Sequence, residues 1–155
     1  MHKFVKPAVF LILIIWSYSS FAQLHKSGIT IQYRFITNSK DAFSEKKILK
    51  GTDEEYFVSR DVRLNEFDIE KAKAEKDEFG RDVVTIELNE RGKKRFIDIT
   101  GERFYGRMIG VVIDNQLIFT AKIREPVING KTLIAGKLTK KEAESIARRI
   151  NNRNK

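Results

Sequence analysis

Between Gly28 and Thr37 apolar and polar side chains alternate, Ile29, Ile31, Tyr33 and Phe35 standing against Thr30, Gln32, Arg34 and Ile36. A period of two puts every second side chain on one face, so this stretch predicts a half-buried strand. The following "NSKDAFSEKKILKGTDE" mixes turn formers and charges around a few apolar residues and reads as a loop or a loose helix ending at Gly51. "EYFVS" predicts a second, short strand. Asn65 is placed to cap a short helix through Phe67, Ile69 and Ala72, with Leu64 positioned to staple against Ile69. The charged arm "KAKAEK" reads as the first arm of a hairpin that turns at Gly80 into a strand over 83–88, with prolongation of the helix, which Glu, Lys and Ala favour, as the alternative.

From Glu90 the apolar spacing lengthens to that of a helix, with Phe96, Ile99 and Phe104 on one face, Arg91, Lys93, Lys94, Arg95 and Asp98 around the rest, and Gly101 near its end. "RMIGVVID" and "QLIFTAKI" flank Asp114-Asn115, two residues that tolerate left-handed backbone angles and suit a tight hairpin. Pro126 ends the second of these strands, Asn129-Gly130 makes a turn, and "TLIAG" is a last strand. Thr139 and Glu142 then form the two halves of a capping box, with Leu138 placed to staple against Ala143. Ala143, Ile146, Ala147 and Ile150 follow at helical spacing and predict one apolar stripe laid on a sheet, while the polar tail "NNRNK" is expected to fray. Together these elements predict an α+β domain, a mainly antiparallel sheet with helices packed on one face.

Composition adds a constraint at each end. A hydrophobic content of 41% beside 33% charge excludes disorder throughout. The first residues place Lys3 and Lys6 before an apolar run, Ala8 to Trp16, that is too short for the roughly 20 residues of a membrane span, and then Ser20-Phe21-Ala22. That order predicts a signal peptide over 1–22, cleaved between Ala22 and Gln23, with an uncleaved N-terminal anchor as the alternative. Lipid anchoring through cysteine is excluded because the chain has none. The formal charge of +9 falls by two on that cleavage and stays basic. In an exported protein such a charge points to anionic membrane surfaces, acidic polymers or other proteins before nucleic acid. Residues 23–55 then form an N-terminal strand and polar linker, 56–151 the main domain, and 152–155 a polar tail.

Catalytic chemistry has little to stand on. Of two histidines, His2 leaves with the signal peptide and His25 lies near the expected mature N-terminus, so a histidine- and cysteine-based metal site is not expected. No nucleophile elbow occurs, and Gly101 and Gly106 have phosphate-loop spacing but are followed by Arg107-Met108 where Lys and a hydroxyl residue are required. No enzyme and no cofactor are expected. In "ERGKKRF" the cations fit the solvated face of a packed helix better than a polymer-binding stripe.

Several of these segments share a family's order. Leu88-Asn89 precede Glu90, Gly92, Lys94 and Phe96; "RMIGVVIDNQLIFTAKIREPV" forms a hairpin and exit; Ile134, Gly136, Thr139, Glu142 and Ala143 close the unit; Tyr56, Val58, Leu64, Asp68 and Ile69 stand in register upstream. This series resembles the head part of the first periplasmic domain of SecD, the accessory subunit of the bacterial protein-export translocon. Lys137 replaces the second glycine of a family pair, Asn115 replaces the usual hairpin glycine, and the family's multiple membrane spans have no counterpart. The resemblance implies a module that handles polypeptide or joins an envelope or translocon complex, without the motor.

The residues also offer a candidate surface. Pro126 cannot donate to a ladder, so the sheet beside Glu125-Pro126 is expected to have an open edge able to accept an extended, unfolded chain. Leu117, Phe119 and Ile123, expected to share a strand face with Ala121, are the candidate contacts; the same residues can instead all pack the core. The competing function is a charge-driven surface protein that holds anionic lipid or polymer.

Overall fold

The computed structural model describes residues 28–37 and 40–153; the expected signal peptide, with Ala22 and Gln23, lies outside them. Strand β1 (Ile31–Thr37) is the middle strand of a five-stranded antiparallel sheet with β2 (Ser44–Ile48), β3 (Glu55–Asn65), β6 (Met108–Ile113) and β7 (Gln116–Lys122), in the order β2-β3-β1-β6-β7. Its alternation sends Ile31, Tyr33 and Phe35 into the core at 1% exposure or less. The segment read as a loop or loose helix contains a strand instead, β2 (Ser44–Ile48). It lies at the sheet's edge, and its Glu45, Lys46 and Lys47 form ion pairs with one another and with β1 and β3, so charge obscures the strand period. Strand β3 (Glu55–Asn65) runs well beyond "EYFVS", because Arg60, Asp61 and Arg63 occupy exposed or half-buried positions of a strand whose Val58 and Leu64 are fully buried.

Asn65 caps the 3-10 turn Glu66–Asp68, accepting from the Phe67 amide, and Asp68 reciprocates by accepting from the Asn65 amide. The helix expected to continue through Ala72 stops there. Ile69 instead opens β4 (Ile69–Lys76), where an irregularity in pairing at Glu70 separates the buried Ile69 and Ala72 by three residues. That bulge gives a strand the apolar spacing of a helix. A turn at Gly80, with φ +75°, leads into β5 (Asp82–Leu88), which pairs with β4 and with β8 in a separate three-stranded antiparallel sheet. The α+β, mainly antiparallel architecture is the expected one, with its strands divided between two sheets.

Helix α1 (Glu90–Thr100) starts at Asn89, whose side chain accepts from the Gly92 amide. A Cβ at position 92 would collide with the backbone oxygen of Asp68, so only glycine lets the helix sit against the preceding turn. Strands β6 (Met108–Ile113) and β7 (Gln116–Lys122) meet through Asp114 and Asn115, at φ 47° and 70°. Strand β8 (Lys131–Leu138) precedes α2 (Lys140–Arg153), whose capping box is closed by Thr139 and Glu142. The helix covers part of the expected frayed tail: Asn151 donates to the Ala72 carbonyl and accepts from the Ala72 amide, each at 2.9 Å, so its polarity satisfies β4 rather than solvent. Arg149 clasps the opposite side of α2, donating to Asp114 at the β6–β7 turn and to the Gly28 carbonyl.

One core lies between the inner face of the five-stranded sheet, the apolar face of β4, β5 and β8, and both helices. Leu117, Val58 and Val112 form a smaller cluster on the other face of the large sheet.

Candidate functional site

Four strands are sheet edges: β2 and β7 in the larger sheet, β4 and β8 in the smaller. Edges invite pairing with foreign strands, and charge is the common protection. On β2 and β4 that protection is dense, with Lys46–Glu55, Lys71–Glu87, Lys73–Glu75 and Lys76–Asp82 pairs. On β7 the sequence is QLIFTAK, with Lys122 its one charge. β8 runs back alongside β7, with Gly136 against Ile118 and Thr132 and Leu133 beside Phe119 to Ile123, yet the two strands belong to different sheets.

At one end this pair is pinched shut. A pairing irregularity at Ile118 inserts an extra residue opposite β6 and brings its carbonyl against β8, where a Cβ at Gly136 would strike it. The Lys50 amide donates to the Leu117 carbonyl (2.8 Å), and its ammonium donates to the Lys137 carbonyl (3.0 Å) and pairs with Glu142 (2.7 Å). Lys137, whose position is a glycine in the family pair, reaches back to the Gly51 carbonyl (2.8 Å). The Lys50 ammonium foremost, then the Thr139 amide and hydroxyl, hold the Glu142 carboxyl down to about 2.

At the other end the strands splay around a cavity of about 370 Å³. Phe119, Ala121 and Ile123 line it from the β7 side, Thr132 and Leu133 from β8, and Tyr33 and Phe96 from the core. The Tyr33 and Phe96 rings meet edge to face with centroids 5.7 Å apart. Among the described residues the Tyr33 hydroxyl has no partner in hydrogen-bonding geometry, and burial, opposed in part by the nearby Thr132 hydroxyl, pushes the phenol well above its usual range. Thr100 pins the loop that closes the mouth by accepting from the Val127 amide (3.0 Å). The amide and carbonyl of Ile123 bond toward Arg107 and Gly106, so alternation turns the backbone groups of Thr120 and Lys122 outward, away from β6.

The sequence-derived candidates therefore separate. Phe119, Ile123 and Glu125 line the cavity, whereas Pro126 is exposed in the adjoining loop. Leu117 does not share their face: the Ile118 bulge turns it to the outer cluster, where Gly110 makes room for it against Ile36. Tyr33, Phe96, Thr132 and Leu133 were not anticipated. Leu133 alone carried a signal, an apolar residue between two inward-facing positions of a strand, and it is 38% exposed.

The family profile described as SecDF, P1 head subdomain, matches residues 37–152, about three quarters of the chain. The chain belongs to the SecDF P1 head family. Among individual relatives, protein translocase subunit SecD of Acidaminococcus fermentans is 38% identical over 80 residues, 52% of this chain and 19% of that protein. SecD of Rickettsia typhi is 29% identical over 108 residues, covering 66% and 21%. The chain thus spans about a fifth of the length of these relatives. Two solved SecDF structures, one titled a super-membrane-facing form and one a membrane component that enhances protein export, superpose with TM-score 0.64 at 20% identity. They are covered over 19% and 62% of their lengths, against 81% and 80% of this chain, and at that identity they establish the head fold alone. The "IREPV" segment, part of the hairpin exit in the family resemblance, forms the mouth of the cavity through Ile123, Glu125 and Val127.

Proposed function

We propose that this SecDF P1 head domain binds extended, apolar-rich polypeptide at the β7 edge, lodging an apolar side chain in the neighbouring cavity, and serves protein export in the envelope. The observation that carries this reading is the contrast among edges: two are covered in ion pairs, while β7 is almost uncharged and borders an apolar cavity. Thr120 and Lys122 offer outward backbone groups for two or more hydrogen bonds, and side-chain burial supplies mild selectivity. Such a site tolerates many sequences and needs neither nucleotide nor metal. The names of the relatives, subunits of a protein translocase, support the setting. The export signal read at Ala22-Gln23 supports a setting in the periplasm or outside the cell, or at the membrane if the segment is retained.

The test is titration of the purified protein with an unfolded exported protein and with its folded form, at low salt and at about 0.5 M. Binding of the unfolded form in the micromolar range or weaker, persisting in high salt and lost in Phe119→Ala, is expected. Binding that vanishes with salt and appears equally for anionic vesicles would assign the domain to charge-driven surface attachment.

A further inference from the structure

Three arginines surround two stacked phenylalanines at the end of β1 and the start of β6. The Phe35 and Phe104 rings lie 5.0 Å apart; Arg63 sits over Phe35 at 5.1 Å, Arg103 over Phe104 at 4.8 Å, and Arg107 over Phe35 at 4.1 Å and Phe104 at 5.6 Å. Arg63 has Asp61 as its counter-ion and Arg103 has Asp98. Arg107 has none among the described residues, and neither has Lys122. These two unmatched cations line a second surface cavity, of about 570 Å³, whose lining contains no carboxylate. Lys122 also lines the apolar cavity, so the two spaces adjoin across the end of β7. Glu125, the carboxylate of the apolar cavity, pairs with neither cation.

We infer that Arg107 and Lys122 form a seat for a carboxylate, and that the polypeptide segment preferred by this site is an extended apolar one carrying an acidic side chain a few residues from its apolar anchor. The inference rests on the binding reading above and adds the chemistry of the ligand. A guanidinium already stacked on two rings loses little freedom when it binds, and it presents a planar fork suited to a carboxylate. An extended chain advances about 3.3 Å per residue, so a side chain about two residues beyond the one in the apolar cavity reaches past Lys122. The complementarity is of charge as well as shape, which favours an acidic peptide over a neutral one and disfavours a basic one.

Three fluorescent peptides identical except at one position, Glu, Gln or Lys placed two residues after a Leu-Ile anchor, would be titrated against the full-length protein at low salt. The Glu peptide is expected to bind about three- to tenfold more tightly than the Gln peptide, and the Lys peptide more weakly than either. Arg107→Gln should bring the Glu-to-Gln ratio close to one, with Arg107→Lys in between; Lys122→Gln, which removes a charge without disturbing the ring stack, should lower the ratio independently of any effect on folding. Equal affinities for Glu and Gln peptides overturn the carboxylate seat while leaving the polypeptide reading in place. No binding of any peptide removes both. If no Glu preference is found but phosphatidylglycerol vesicles bind and Arg107→Gln releases them, the cations serve a lipid surface instead.

Discussion

The two ends of the β7–β8 pair are made from neighbouring residues yet behave as opposites. Around Ile118 and Gly136 the backbones touch, and Lys50, Lys137 and Glu142 lock the contact from outside with bonds of 2.7–3.0 Å. A few residues further, around Phe119 to Ile123 and Thr132 to Leu133, the same strands leave a cavity floored by an aromatic pair. Two sheets that close at one point and part at another can keep an edge available without losing the core that holds them.

Gly136→Val should do the greatest damage to the closed end. Its side chain meets the Ile118 carbonyl and Cγ2, so a loss of about 2–3 kcal/mol is expected in denaturant titrations, with a visible fall in Tm. Thr139→Ala removes the cap of α2 beside the same lock and should cost about 1 kcal/mol, against almost nothing for the exposed Lys140→Ala. The lock also has a pH signature. Because the Glu142 carboxyl is held below its unfolded value, its contribution is complete above about pH 4.5 and disappears as pH falls toward about 2; Glu142→Gln should flatten that part of the acid denaturation profile. At the open end, Tyr33→Phe removes a buried hydroxyl without a partner and should leave stability unchanged or slightly raised; a large loss would show that the hydroxyl is bonded in solution. Lys137→Gly, which restores the family's residue, should cost about 0.5–1 kcal/mol, read by denaturation, from an exposed strand position and one lysine contact.

Much of this architecture could be read in advance where one face of an element is apolar and its ends are marked. The alternation of β1, the left-handed pair Asp114-Asn115 and the Thr139–Glu142 box all stood out for that reason. The edge strand β2 did not, and β4 only in part. On β2 and β4 the charges that discourage foreign pairing also replace the apolar alternation, and the bulge at Glu70 imitates helical spacing between Ile69 and Ala72. The candidate surface was half legible. Phe119, Ile123 and Glu125 lie in one segment and were found together, but the bulge that sends Leu117 to the opposite face has no mark in an unbroken apolar run. Tyr33, Phe96 and Leu133 come from three other elements, and only the folded chain shows that they meet.

The clasp made by Arg149 has a consequence for attachment. By holding Gly28 and Asp114 together, it fixes the start of the described chain at the β6–β7 turn, whereas the mouth lies at the far end of β7, about 20 Å away for a strand of this length. Whatever the domain is joined to through residue 28, whether a membrane, a label or a solid support, is anchored at the end remote from the mouth. A domain held at residue 28 therefore keeps the cavity mouth clear of its attachment.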